Sequence, residues 1–158
     1  MTPRMASHLL PCPVVFICTA HENQRDIMVA TTMFVSEKEP LLAVSLAKGH
    51  RTLKLIEKSG EFTLIAVSKG QTDLYKQLLG LSGKEPDKFA ALSIATLPAR
   101  PSKALIPKGS AAWFDCKPVA KQEIAGYVVI IARITDHKDL GKLPLIWRTD
   151  RLYSLKPV

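Results

Sequence analysis

The feature that most constrains this chain is a succession of β-rich apolar runs separated by short polar turns. Val14-Val15-Phe16-Ile17-Cys18-Thr19 is followed by the polar stretch 21–26, then by a second run over 28–35. The breaker Glu37-Lys38-Glu39-Pro40 precedes a third run, 41–47, whose continuous apolar character predicts a strand buried on both faces. Consecutive strands joined this closely favour an antiparallel meander over βαβ units.

The loop Lys48-Gly49-His50-Arg51 leads to Thr52, read as an N-cap, and then to Leu53, Ile56 and a terminating Gly60, which predicts a short amphipathic helix. Residues 62–67 return to strand character, and Leu74, Leu78 and Leu81 recur at helical spacing over 72–81. A further helical turn is expected over 87–92, with Pro86 at its start. The breaker-rich stretch 98–109 reads as a loop, and 112–119 as a half-exposed strand with Trp113, Asp115 and Lys117 on one side. Residues 126–135 carry the longest β signal, and 145–147 with 153–155 form a hairpin-like pair. Strands of this number favour closure into a barrel, because closure removes aggregation-prone edges.

The 158 residues suit one domain and one site, and 47% apolar with 23% charged residues is globular composition. The net charge of +8 favours an anionic partner. Bases are interleaved with acids, as in Arg25-Asp26 and Lys84-Glu85, so no nucleic-acid tail is marked out. Cys12, Cys18 and Cys116 show no CxxC spacing and read as reduced thiols of a cytoplasmic protein. No apolar run approaches membrane-spanning length, and residues 1–13 carry no targeting pattern. His8, His21, His50 and His137 lack metal-site spacing, and Ser45, Ser82 and Ser110 lack a nucleophile elbow. Both glycine-rich nucleotide motifs are absent. What remains is the junction of Lys48, His50, Arg51 and Thr52, where a positive loop meets the N–H groups of a helix start. The residues alone leave two readings open there, a phosphate site or a capped surface helix with solvated cations.

At this junction the chain resembles the flavin reductase-like family of FMN-binding split barrels. The likeness runs from Pro13-Val14-Val15 through 28–32, 39–46, Arg51-Thr52 and Ser59-Gly60-Glu61-Phe62. It continues through Asp87-Lys88-Phe89, Asp115-Cys116-Lys117 and the Gly126 strand to Leu145-Ile146-Trp147 and Tyr153. The resemblance implies a mainly β fold, an antiparallel Greek-key split barrel with a few short peripheral helices, in one domain over 1–158. It implies a homodimer with FMN near the subunit interface and NAD(P)H as co-substrate. Ala30, Thr31 and Thr32 would meet the polar edge of the isoalloxazine, with Ser45, Leu46 and Ala47 beside the ring. Lys48, His50, Arg51 and Thr52 would take the phosphate, and Lys88 would add charge. Many relatives carry Gly-Asp-His where this chain has Ala125-Gly126-Tyr127, which places Tyr127 on the nicotinamide side. The expected activity is hydride transfer from nicotinamide to flavin N5. The alternatives are an FMN-containing carrier reduced by a redox partner protein and, on charge alone, a nucleic-acid-binding barrel.

Overall fold

A computed structural model describes residues 5–81 and 85–158; Ser82, Lys84 and the first residues of the amino-terminal stretch read above lie outside them. Strands β1 (Cys12–His21), β2 (Gln24–Ser36) and β3 (Leu41–Ala47) lead to helix α1 (Arg51–Ser59) and strand β4 (Phe62–Ala66). Helices α2 (Thr72–Gly80) and α3 (Lys88–Ala91) follow. The chain ends in strands β5 (Ala112–Ile124), β6 (Tyr127–Asp139), β7 (Leu145–Arg148) and β8 (Arg151–Ser154). Short 3-10 turns cover Ala6–Leu9 and Lys69–Gln71.

All pairings between the named strands are antiparallel, in the order β2-β3-β6-β5-β4-β1, and the β1–β2 pairing closes this sheet into a six-stranded barrel. The β7–β8 hairpin joins through Cys12 and Pro13 of β1. The expected barrel with peripheral helices is therefore present.

Two apolar layers explain the burial pattern. Inside the barrel, Val15, Ile17, Val44, Leu46, Leu64, Val128 and Ile130 form one core, on which Leu53 and Ile56 of α1 pack. On the outer face of β1, Val14, Phe16 and Cys18 join Ile65, Leu78, Phe89, Trp113 and Leu145 in a second. The strand buried on both faces is thus β1. For β3 the expectation is corrected: Leu42, Val44 and Leu46 point inward, while Ser45 and Ala47 are exposed. Small outward side chains made an alternating strand look continuously apolar.

Local chemistry sets the element ends. Gly60 closes α1 at φ 73°, in the left-handed region, with its N–H on the Ile56 carbonyl at 2.8 Å. Asp87 caps α3 by accepting the Ala90 N–H at 3.1 Å. The β1–β2 turn is tighter than expected, since β2 begins at Gln24 and Asp26 falls inside the strand, where it is buried. β5 differs too. Trp113 and Asp115 are buried, because Arg100 of the preceding loop stacks on the Trp113 ring at 4.2 Å and grips Asp115 at 2.7 and 3.0 Å.

Candidate functional site

The largest concavity near the β1–β2 surface is a groove of about 570 Å³. Its floor is Val14 of β1 and Val29, Ala30 and Thr31 of β2, with Tyr127 from the start of β6. Tyr75 and Leu79 of α2 form one wall, and His8 and Trp147 another. Val14, Val29, Thr31 and Tyr127 reach this floor as outward side chains by strand alternation. Thr32 pairs with Val44 and Ala47 with Tyr127, so Thr31, Ser45, Ala47 and Tyr127 occupy one outer surface. Thr32 instead donates its hydroxyl to the Ala43 carbonyl at 2.9 Å. Leu46 is fully buried within the barrel, so its expected place beside a ring on this surface is corrected by the same alternation.

One residue beyond the Ala47–Tyr127 pair the basic junction begins, with the Lys48 N–H on the Gly126 carbonyl at 2.9 Å. His50 is the N-cap of α1, and the first helical bond runs from the Lys54 N–H to the His50 carbonyl. The N–H groups of Arg51, Thr52 and Leu53 precede that bond and have no acceptor within the helix. The expected N-cap, Thr52, is instead inside the helix. Its side chain is wholly buried and donates to Asp26 Oδ2 at 2.7 Å, so its hydroxyl is withdrawn from the surface.

The cations divide in the same way. Lys48 Nζ pairs with Glu123 at 2.9 Å on the surface, and that bond raises the lysine's pKa and lowers the glutamate's. Arg51 donates to the carbonyls of Glu85 and Pro86. Lys88, expected to add free charge, is buried: its ammonium lies 3.2 Å from Asp26 Oδ1 and donates to the Ile27 carbonyl at 2.9 Å. Oδ1 is matched by charge without a directed hydrogen bond. His50 is different. Its buried Nδ1 has no hydrogen-bond partner, and burial, helped by the Lys88 charge and opposed by Asp26, lowers its pKa, so the ring is neutral at pH 7. Next to this network Arg25 holds Asp87 through two bonds of 3.0 Å and lies over Phe89; the hydrogen bond from Arg25 lowers the Asp87 pKa.

Sequence reasoning missed Asp26, His8, Tyr75 and Trp147. Asp26 was hidden by its place in an apparent turn. The other three come from distant segments and carry no shared motif. Among the described residues no cluster of three His, Cys, Asp or Glu side chains could hold a metal ion. No helix among them is long and apolar enough to cross a membrane.

The fold and site together define a closed antiparallel barrel with an aromatic-walled groove beside a helix start, a concave site of the kind that takes a small ligand. The profile of the flavin reductase like domain matches residues 5–156, and the chain belongs to that family of oxidoreductases. Among solved structures it is similar to nitrilotriacetate monooxygenase component B from Mycobacterium thermoresistibile, with TM-score 0.82 and 23% identity over 95% of this chain and 83% of that one. It is similar to the styrene monooxygenase flavin reductase of Pseudomonas putida, with TM-score 0.79 and 19% identity over 97% and 95%. Flavoredoxin from Methanosarcina acetivorans aligns with TM-score 0.81 and 15% identity over 100% and 93%. Comparison with curated protein sequences finds no match.

Proposed function

We propose that this protein binds FMN and reduces it with NAD(P)H, working as a homodimer in the cytoplasm. One observation carries the reading: the groove and the start of α1 are adjacent, joined through Ala47, Tyr127 and Gly126. A flat conjugated ring needs an apolar slot with a few directed polar groups, and a volume of about 570 Å³ suits one. A phosphate needs a donor-rich, positive end, which α1 offers through three unbonded N–H groups and the unpartnered His50 Nδ1. That orphaned buried nitrogen beside free helix-start N–H groups is what the FMN phosphate would fit. When bound, the flavin supplies the hydride-accepting N5.

The chain's own residues then have positional work. Tyr75 and Leu79 on one wall and Trp147 on the other would shield the groove from water, and Thr31 offers a hydroxyl on its floor, with Ser45 further along the same outer surface. Asp26 and Thr52 fix the pitch of α1 against β2. Dimerisation is supported by Met33, Phe34 and Val35, exposed on the half of β2 that pairs only with β3. The absence of disulfides among three cysteines supports a reducing compartment.

Tyr127 sustains a second reading, an FMN carrier reduced by a protein partner. It is half exposed, and its side chain stands in the groove where a nicotinamide would have to stack. An absorption spectrum of the purified protein with added FMN tests the binding, and colourless protein that takes up no FMN overturns it. Anaerobic mixing with NADH or NADPH separates the two readings. Rapid bleaching of the flavin band supports the reductase, and unchanged absorbance at high nucleotide concentration supports the carrier.

A further inference from the structure

His8 lines the groove from the turn Ala6–Leu9. Its ring meets Trp147 edge-on, with centroids 5.4 Å apart and planes at 86°. Its Nδ1 lies 3.7 Å from Asp150 Oδ2, and its imidazole is 28% exposed. Two further bonds stitch this segment to the β7–β8 hairpin: the Thr149 N–H donates to the His8 carbonyl at 2.9 Å and Arg148 Nε to the Leu9 carbonyl at 3.2 Å. Asp150 itself is presented by a turn in which it and Thr149 have φ of 60° and 50°. Non-glycine residues hold that region at an energetic cost, and such positions collect at functional sites.

A separation of 3.7 Å is an ion-pair distance, longer than a hydrogen bond, so Asp150 acts on His8 through charge. Contacts of this kind often tighten when a site fills. The other polar groups facing the groove are Ser7, Cys12 and Thr31, with the phenols of Tyr75 and Tyr127. Burial and the nearby Asp150 raise the Tyr75 pKa and keep that phenol neutral. No carboxylate or lysine lines the groove among the described residues, so His8 is its histidine switch, with Asp150 and Arg148 as the charges behind it.

We propose that His8, backed by Asp150, is the residue of this groove that stabilises negative charge on a bound conjugated ring. As imidazolium it faces the negative charge that a conjugated ring acquires on two-electron reduction, and so favours the reduced ring over the oxidised one. This rests on the flavin reading above. The electrons balance: hydride leaves C4 of a dihydronicotinamide with the C–H electron pair, forms the N–H bond at flavin N5, and leaves nicotinamidium behind. The one negative charge remaining on the flavin is the charge that His8 meets.

The test is the midpoint potential of bound FMN in the wild type, His8→Gln and Asp150→Asn, at pH 6 and pH 8. At pH 6 His8→Gln should lower the preference for reduced over oxidised FMN about tenfold, a fall of ~30 mV. The loss should be smaller at pH 8. Asp150→Asn, at an exposed carboxylate, should shift the potential in the same direction by less and keeps the test alive should His8→Gln misfold. His21→Gln, at the β1–β2 turn, should leave the potential unchanged. Because both redox states carry the phosphate, its own titration cancels. A potential indifferent to His8, or equally lowered at both pH values, overturns the proposal alone, whereas failure of the wild type to bind flavin overturns it together with the flavin reading.

Discussion

Thr52 Oγ1 donates to Asp26 Oδ2 at 2.7 Å in a region from which solvent is excluded. That bond fastens α1 to β2 within the helix's first turn, at the proposed phosphate end. Lys88 brings α3 to the same carboxylate, and Arg25 brings Asp87 alongside. The start of α1 is held in place by groups that do not themselves reach its surface, so the helix is positioned before any ligand arrives.

Removing Asp26 should be costly. Asp26→Ala leaves the Lys88 ammonium buried without its counter-charge, a loss of about 3–5 kcal/mol, while Thr52→Val should cost about 1–3 kcal/mol. The double variant Asp26→Ala with Lys88→Met should be less damaged than Asp26→Ala alone, because no unpaired charge remains. Urea unfolding measures all three, and an Asp26→Ala loss below about 1 kcal/mol would show the pair to be dispensable.

Asp115 should make stability depend on acid pH. Burial alone would raise its pKa, but the hydrogen bonds from Arg100 and Thr63, with the charges of Arg100 and Lys103, outweigh it and hold the carboxyl below its ordinary value. A depressed folded-state pKa gives stability that is complete above the unfolded value, about 3.9, and is lost as pH falls through the folded one. The stability gap between the wild type and Asp115→Asn should therefore be constant above about pH 5 and narrow below about pH 4. A gap that widens on acidification would contradict the ion pair.

The thiols should differ sharply in reactivity. Burial first, then the neighbouring Asp115 charge, pushes Cys116 up to about 12, and burial followed by Asp26 pushes Cys18 further still. Only thiolate is nucleophilic, so both should resist iodoacetamide in the native protein at pH 8, while the partly exposed Cys12 reacts. Mass spectrometry should find one labelled cysteine before denaturation and three after; native labelling of Cys116 at the rate of Cys12 would refute the packing.

The strands were legible because each is an apolar run closed by a turn, and the α1 terminus because Gly60 takes the left-handed cap conformation without the penalty a Cβ would bring. What the sequence hid depends on contacts between distant segments. Double burial was expected of β3 and found in β1, because only the second layer, built by α2, α3 and Trp113, shows which strand is covered twice. Asp26 read as a turn charge, since nothing near it announces Lys88. The basic junction was visible as a cluster of types, yet three of its four polar side chains are engaged by Glu123, the 85–86 carbonyls and Asp26. Only the fold distinguishes such engaged groups from the unpartnered His50.

That distinction separates the two ends of the proposed FMN site. His50→Ala should weaken FMN about tenfold, or ~1.4 kcal/mol, while leaving riboflavin affinity nearly unaltered, because riboflavin lacks the phosphate that the α1 end would meet. Tyr127→Ala should weaken FMN and riboflavin by the same factor, since in the proposed site the side chain would stand against the ring and away from the phosphate. Quenching of flavin fluorescence gives all four affinities. An equal loss of both ligands in His50→Ala would move the phosphate away from α1, and an FMN-selective loss in Tyr127→Ala would place the ring elsewhere than the groove.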